Sequence, residues 1–182
     1  MHTTIKKIWQ PIAGSALWVH HRLLPRDLYF KFMPYLWLPW LAFFFFNYSD
    51  HPPDPLRWAL YAAGGLVFLA LYFRAYRAIH LDSMRELGWI IAAMTLMGCG
   101  FMWPYGNGLA FFVYAACLCG SFGSVRHSAY ALILVVAAFL ISAAAIRLNA
   151  PTIISGLFLT VILGIANIYF GEMNRKNRAL KL

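Results

Sequence analysis

Six apolar runs, none with Asp, Glu, Lys, Arg or His in its interior, leave this chain few ways to fold. They cover about residues 33–48, 58–73, 87–103, 108–123, 128–146 and 152–170. In hydrocarbon every backbone N–H and C=O must find an internal partner, and helices satisfy that within each segment. Hydrophobic residues make up 62% of the chain and charged residues 12%, far from the balance of about 45–50% and 25% in soluble domains. The expected fold is all-α: a polytopic membrane protein with six transmembrane helices, the last extending into a cytoplasmic coiled-coil-like linker. Several runs fall short of the ~20 residues that cross a bilayer, and amphipathic ends with interfacial aromatics supply the difference. Trp37, Trp40, Trp58, Trp89 and Trp103 lie near run ends, where a membrane-interface belt places them.

Three regions follow. Residues 1–32 read as a cytoplasmic or interfacial segment, 33–171 as the six-helix membrane domain, and 172–182 as the start of a cytoplasmic helix. The first segment mixes Trp9, Leu17, Trp18, Leu23 and Leu24 with Lys6, Lys7, Arg22 and Arg26, which suits a membrane surface. Pro11, Pro25 and the run His20-His21-Arg22 interrupt it, so a cleavable signal peptide is not expected. The connections between runs are brief, with turn chemistry at Pro52-Pro53 and Pro104-Tyr105-Gly106.

Orientation follows from the basic residues. With six spans, Lys6, Lys7, Arg22, Arg26, Lys31, Arg74, Arg77, Arg85, Arg126, Arg175, Lys176, Arg178 and Lys181 fall on one side, and only Arg57 and Arg147 on the other. The positive-inside rule then puts both termini in the cytoplasm, in a bacterial cytoplasmic (inner) membrane. The net charge of +9 is absorbed by this role, so no nucleic-acid partner is expected.

The last thirty residues carry the functional expectation. Pro151 suits the first turn of a helix, and nothing after it breaks the helix before Leu182. In heptads, Leu159, Ala166, Met173 and Leu180 fall at d, and Leu163, Phe170 and Asn177 at a. An Asn at an a position sets register and oligomer state. The pattern predicts a seam that crosses the membrane boundary in phase and joins two parallel copies. Gly171 opposes it, weakening the helix by about 1 kcal/mol relative to Ala. Arg175, Lys176 and Arg178 are expected beside anionic lipid headgroups.

Other chemistry is sparse. The runs hold only mild polar residues: Thr95, Ser121, Ser142, Ser155, Thr160 and Asn167. Asn167 is expected to make an interhelical hydrogen bond. The absence of intramembrane charge argues against an ion-coupled carrier. Cys99, Cys117 and Cys119 have neither Cys-x-x-Cys nor Cys/His metal spacing and read as small buried hydrophobes. The histidines at 2, 20, 21, 51, 80 and 127 all lie outside the runs, so no haem is expected between helices, and no other cofactor or metal. His80, with Asp82 and Glu86, occupies a polar loop. Gly64-Gly65, Gly98-x-Gly100 and Gly120-x-x-Gly123 permit close helix packing.

Short-looped spans followed by Glu172-Met173-Asn174-Arg175-Lys176-Asn177-Arg178-Ala179-Leu180-Lys181-Leu182 resemble the membrane sensor domain of DesK-type bacterial histidine kinases. The resemblance covers about residues 33–182 and implies a parallel homodimer, with a phospho-acceptor histidine and an ATP-binding domain beyond it and a response regulator as partner. The Arg-Asp-Leu of this chain, Arg26-Asp27-Leu28, is followed by Tyr29 and lies at the opposite end from that family's histidine motif. A kinase reaction is therefore not expected of these residues. The expected function is signal sensing in the membrane, responding to bilayer state or to a small apolar molecule, with lipids as partners. The alternatives are a small membrane carrier or lipid-modifying enzyme, which would need polar side chains around one cavity, and a structural membrane subunit.

Overall fold

The computed structural model describes residues 55–105 and 108–179, together with Pro39. Five helices and no strand occur among the described residues: α1 (Pro55–His80), α2 (Met84–Tyr105), α3 (Leu109–Cys119), α4 (Val125–Ala145) and α5 (Ala150–Ala179). The expected first run, the N-terminal segment and Leu180 lie outside the described residues. Each of the other five runs forms a helix.

Among the described residues, three helices are long and apolar enough to cross a membrane: Ala59–His80 within α1, Val125–Ala145 (α4) and Ala150–Asn177 within α5. The chain thus has the character of a membrane protein, although α2 and α3 are not among the helices that meet this measure. The outward faces agree, since Leu66, Trp89, Leu96, Tyr130, Leu134, Ile154, Phe158 and Tyr169 are all exposed. In water such a surface would mark an aggregation hazard or an interface; in hydrocarbon it is ordinary solvent contact.

α3 differs from the rest. Its 11 residues rise only about 17 Å, roughly half of a 30 Å hydrocarbon core. Seven of them, Phe111, Phe112, Tyr114, Ala115, Ala116, Leu118 and Cys119, are buried. A helix that is apolar all round belongs inside a protein, and α3 packs against α2, α4 and α5 at once.

Loop chemistry aligns the ends. After α1, Asp82 takes a left-handed φ of 53°, and Ser83 N–H donates to Ala78 O while Asp82 N–H donates to Ile79 O. After α4, Arg147 (φ 54°) lets Leu148 N–H reach Ala143 O in the same way. Both are Schellman turns that satisfy the last helical carbonyls. Ser124 caps α4 by accepting from His127 N–H, and Asn149 caps α5 by accepting from Thr152 N–H at 2.9 Å. Pro151 therefore sits inside the first turn of α5, as its missing N–H requires.

The boundaries of the runs shift for physical reasons. α1 continues seven residues past its apolar run to His80, because Arg74 and Arg77 are exposed and good helix formers. α2 begins at Met84, ahead of its run, and Glu86 pairs with Arg74 across the hairpin at 2.6 Å.

Packing between α3 and α5 is backbone-tight. A Cβ added at Gly120 would collide with the backbone of Asn167 and Ile168, and one at Gly171 would collide with the Gly120 carbonyl oxygen. Gly100 on α2 has nothing within 4 Å of such an atom. Gly120→Ala should therefore lower stability by about 1–3 kcal/mol through overpacking. Gly100→Ala should raise it by up to about 1 kcal/mol through helix propensity. Thermal unfolding of the two variants in the same detergent checks both signs.

Candidate functional site

The inner face of α5 is built from small and polar residues at helical spacing: Gly156, Thr160, Gly164, Asn167 and Gly171. Gly156 faces the Phe139 ring and Leu109, and Gly164 faces Leu132. Thr160 is buried and donates to Gly156 O at 2.7 Å, so its hydroxyl costs nothing inside the bundle. Small residues at such spacing let helix axes approach where the hydrophobic effect supplies no drive.

On the other side of α3 the filling is aromatic. Phe68 on α1 meets Phe111 and Tyr114 on α3 at centroid distances of 5.5 and 4.7 Å. Tyr72 meets Tyr114 edge-on at 5.6 Å. Rings of this size hold α1 away from α3, and tilted or edge-on pairs contribute about 0.5–1.5 kcal/mol each beyond their area.

Where the ring layer meets the glycine layer, a cavity of about 80 Å³ remains between α1, α3 and α5. Its polar lining comes from Tyr72, Tyr76, Tyr114, Cys117, Ser121 and Asn167, and Ile79, Val113, Leu118 and Leu163 close the rest. The Tyr72 and Tyr76 hydroxyls bond to each other at 3.3 Å, one helical turn apart. Asn167 Nδ2 donates to Leu163 O at 2.9 Å, within α5 itself. The expected interhelical bond of Asn167 is thus replaced by one to its own helix, because Gly120 backs directly onto the Asn167 main chain. No carboxylate, imidazole, amine or guanidinium lines the cavity, and no three His, Cys, Asp or Glu converge as metal ligands among the described residues.

About two turns beyond the cavity, α5 is fastened to the α3–α4 connection. Arg175 Nη1 donates to Phe122 O, and Nη2 donates to Glu172 Oε2 at 2.9 Å. Lys176 approaches Glu172 at 3.7 Å but its side chain is 73% exposed. Gly123 N–H points at the Met84 sulfur at 3.2 Å, which ties α2 to the same connection.

The seam residues distribute unevenly. Leu159, Leu163 and Ala166 are half-buried, and Phe170, Met173 and Asn177 are exposed. Leu180 and the Arg178 side chain lie outside the described parts. Leu163 and Asn167 also line the cavity. Arg175, expected at headgroups, has its guanidinium committed to Phe122 and Glu172, while Lys176 is free to face them. Cys99 and Cys117 are half-buried and Cys119 is buried, its thiol donating to Ala115 O.

Sequence reasoning misses the tyrosines, since Tyr72 and Tyr114 sit inside apolar runs and Tyr76 lies just past one. Tyr72-x-x-x-Tyr76, two hydroxyls on one face of α1, and Cys117-x-x-x-Ser121, at the end of α3 and just past it, were the available signals. The Gly156, Thr160, Gly164 spacing was equally legible. No protein-family model, curated protein or solved structure matches the chain.

Arg175→Ala should cost about 1–2 kcal/mol, because it strips a charged donor from a half-buried carbonyl. Lys176→Ala should stay within about 0.5 kcal/mol, as expected of an exposed pair. Unfolding midpoints compared in one lipid or detergent resolve the difference.

Proposed function

We propose that this chain is a membrane-embedded signal-sensing domain whose last helix carries the state of the bundle into the aqueous phase. The observation that carries this reading is the continuity of α5. It is one helix of 30 residues, about 45 Å long, and so overruns a 30 Å hydrocarbon core by about 15 Å. Its inner face is held by α3 through Gly120 and Gly171, and its exit by Arg175 on Phe122. A helix gripped along one face and continuous past the membrane can carry a tilt across the boundary.

The finer reading has six spans in a bacterial cytoplasmic membrane with both termini in the cytoplasm. The gathering of Arg74, Arg85, Arg126, Arg175 and Lys176 at one end of the bundle supports it, with Arg147 at the other. Pairing occurs between parallel copies through Leu159, Leu163, Ala166, Phe170, Met173, Asn177 and Leu180. That stripe centres roughly 130–150° round α5 from Gly164 and Gly171 at about 100° per residue, so a partner there does not compete with α3. Lipids are the first partners, through Lys176 and Arg178. A kinase domain and response regulator come next if the DesK-type likeness extends beyond this chain. Bilayer thickness is a suitable stimulus, since mismatch is relieved by tilt.

A second reading, a small carrier or lipid-modifying enzyme, is favoured by the cavity between α1, α3 and α5. Its lining offers hydrogen bonds but no group that exchanges protons near neutral pH. Binding therefore fits it better than turnover.

Disulfide crosslinking in native membranes tests the first reading, with single cysteines from 172 to 182 in a background lacking Cys99, Cys117 and Cys119. Crosslinks should peak at 173, 177 and 180 and shift with lipid thickness, and Leu180→Asp should abolish them. A flat profile defeats the dimeric signalling helix.

A further inference from the structure

We infer that the cavity between α1, α3 and α5 is a binding site for the hydroxyl head of a neutral, membrane-soluble alcohol. Its volume of about 80 Å³ holds two or three waters at about 30 Å³ each, or a hydroxyl with its first one or two carbons. A larger body must continue outward between the helices, and α1 leaves room for that. The helix pairs in close contact are α1 with α2, α2 with α3 and α4, α3 with α4 and α5, and α4 with α5. α1 is thus held to its neighbours beyond α2 mainly by rings.

The polar chemistry selects for a hydroxyl. Asn167 spends one amide hydrogen on Leu163 O, and its second amide hydrogen and its side-chain carbonyl have no partner among the described residues. The Ser121 hydroxyl is likewise without a side-chain bond there. The Tyr72–Tyr76 pair stands on the opposite wall, joined by a single bond of 3.3 Å. The cavity therefore presents donors and acceptors together, and a group that both donates and accepts uses them best. A carboxylate or ammonium would enter with no opposite charge on the lining, which a low-dielectric site penalises heavily. A plain alkane would leave the Ser121 and Asn167 groups unsatisfied.

This site goes beyond the signalling reading and does not depend on it. It does meet it physically, because Leu163 belongs to both the cavity wall and the α5 seam. An occupant presses on α5 directly.

The test uses the full chain in phosphatidylcholine vesicles and a diazirine-bearing octanol, with adducts mapped by mass spectrometry. Adducts should fall on α1 from Tyr72 to Ile79, on α3 from Val113 to Leu118, at Ser121 just past it, and at Leu163 or Asn167. Excess octanol should displace them, and octane or octanoate should not. Ser121→Ala and Asn167→Leu should each weaken labelling about five-fold, the loss of one neutral hydrogen bond, with helix content and unfolding midpoint retained. Ser121→Ala keeps the test decisive if Asn167→Leu unfolds the bundle. Labelling spread over outward residues such as Trp89, Tyr130 and Phe158, or unchanged in the folded Ser121→Ala variant, overturns the site. So does equal competition by octane, or no cavity adduct at all, which means water alone fills it. Crosslinking at 173, 177 and 180 without alcohol reports on signalling separately, so failure of either idea leaves the other readable.

Discussion

Backbone meets backbone where α3 ends against α5, and most of this bundle depends on that contact. Between apolar helices in an apolar solvent, association must come from close van der Waals contact and from hydrogen bonds. Gly120 lies on the main chain of Asn167, and Gly171 lies on the carbonyl of Gly120, so a single methyl at either place has nowhere to go. The same contact explains why α3 needs no span-length: covered by α2, α4 and α5, it is matched to protein and not to the bilayer. Its end then presents the Phe122 carbonyl at the right height for Arg175.

The two sides of α3 obey different rules, and the cavity is the geometric consequence. Glycine brings α5 in; Phe68, Tyr72, Phe111 and Tyr114 hold α1 off at ring separation. Close-packed interiors seldom leave a void larger than a water molecule. A void persists here because its edges are hydroxyls and an amide, which a collapsed apolar seam would leave unsatisfied. Tyrosine serves both purposes, since its ring is the spacer and its oxygen is the lining.

Much of the architecture was legible because hydrophobic runs in hydrocarbon have one local solution. Each apolar run from residue 58 onward became a helix, and Pro151 fell in the first turn of α5. Run length was a poorer guide than run existence. The stretch 108–123 looked like a span, yet only Leu109–Cys119 is helical, and its burial is a tertiary fact that composition does not contain. α1 erred the other way, because charged helix formers extend a helix that hydropathy ends. The candidate site was least visible. A heptad count weighs large apolar residues, so it picked Leu159, Leu163 and Phe170 and passed over the glycines that α3 grips. Which tyrosines share a cavity depends on interhelical spacing, and no single helix carries that information.

α5 thus wears three faces, each with a different neighbour. Small residues meet α3, exposed Ile154, Phe158, Ile165 and Tyr169 meet the surroundings, and the flank with Leu163 borders the cavity toward α1. The first face is rigid, since backbone contact tolerates no rotation without separating the helices. The flank is soft, bounded by rings and a void. A helix held on a hard face beside a soft flank has one easy direction, a tilt toward α1 that closes the cavity, with Gly120 and Gly171 as the pivot. An occupant of the proposed site would oppose that tilt, which would couple occupancy to helix position. Arg175 lies just past the pivot, on the short arm, where a tilt displaces it least, so its bond to Phe122 helps to hold the pivot. On the proposed reading, bilayer thickness and a cavity occupant would act on α5 by this one mechanical route.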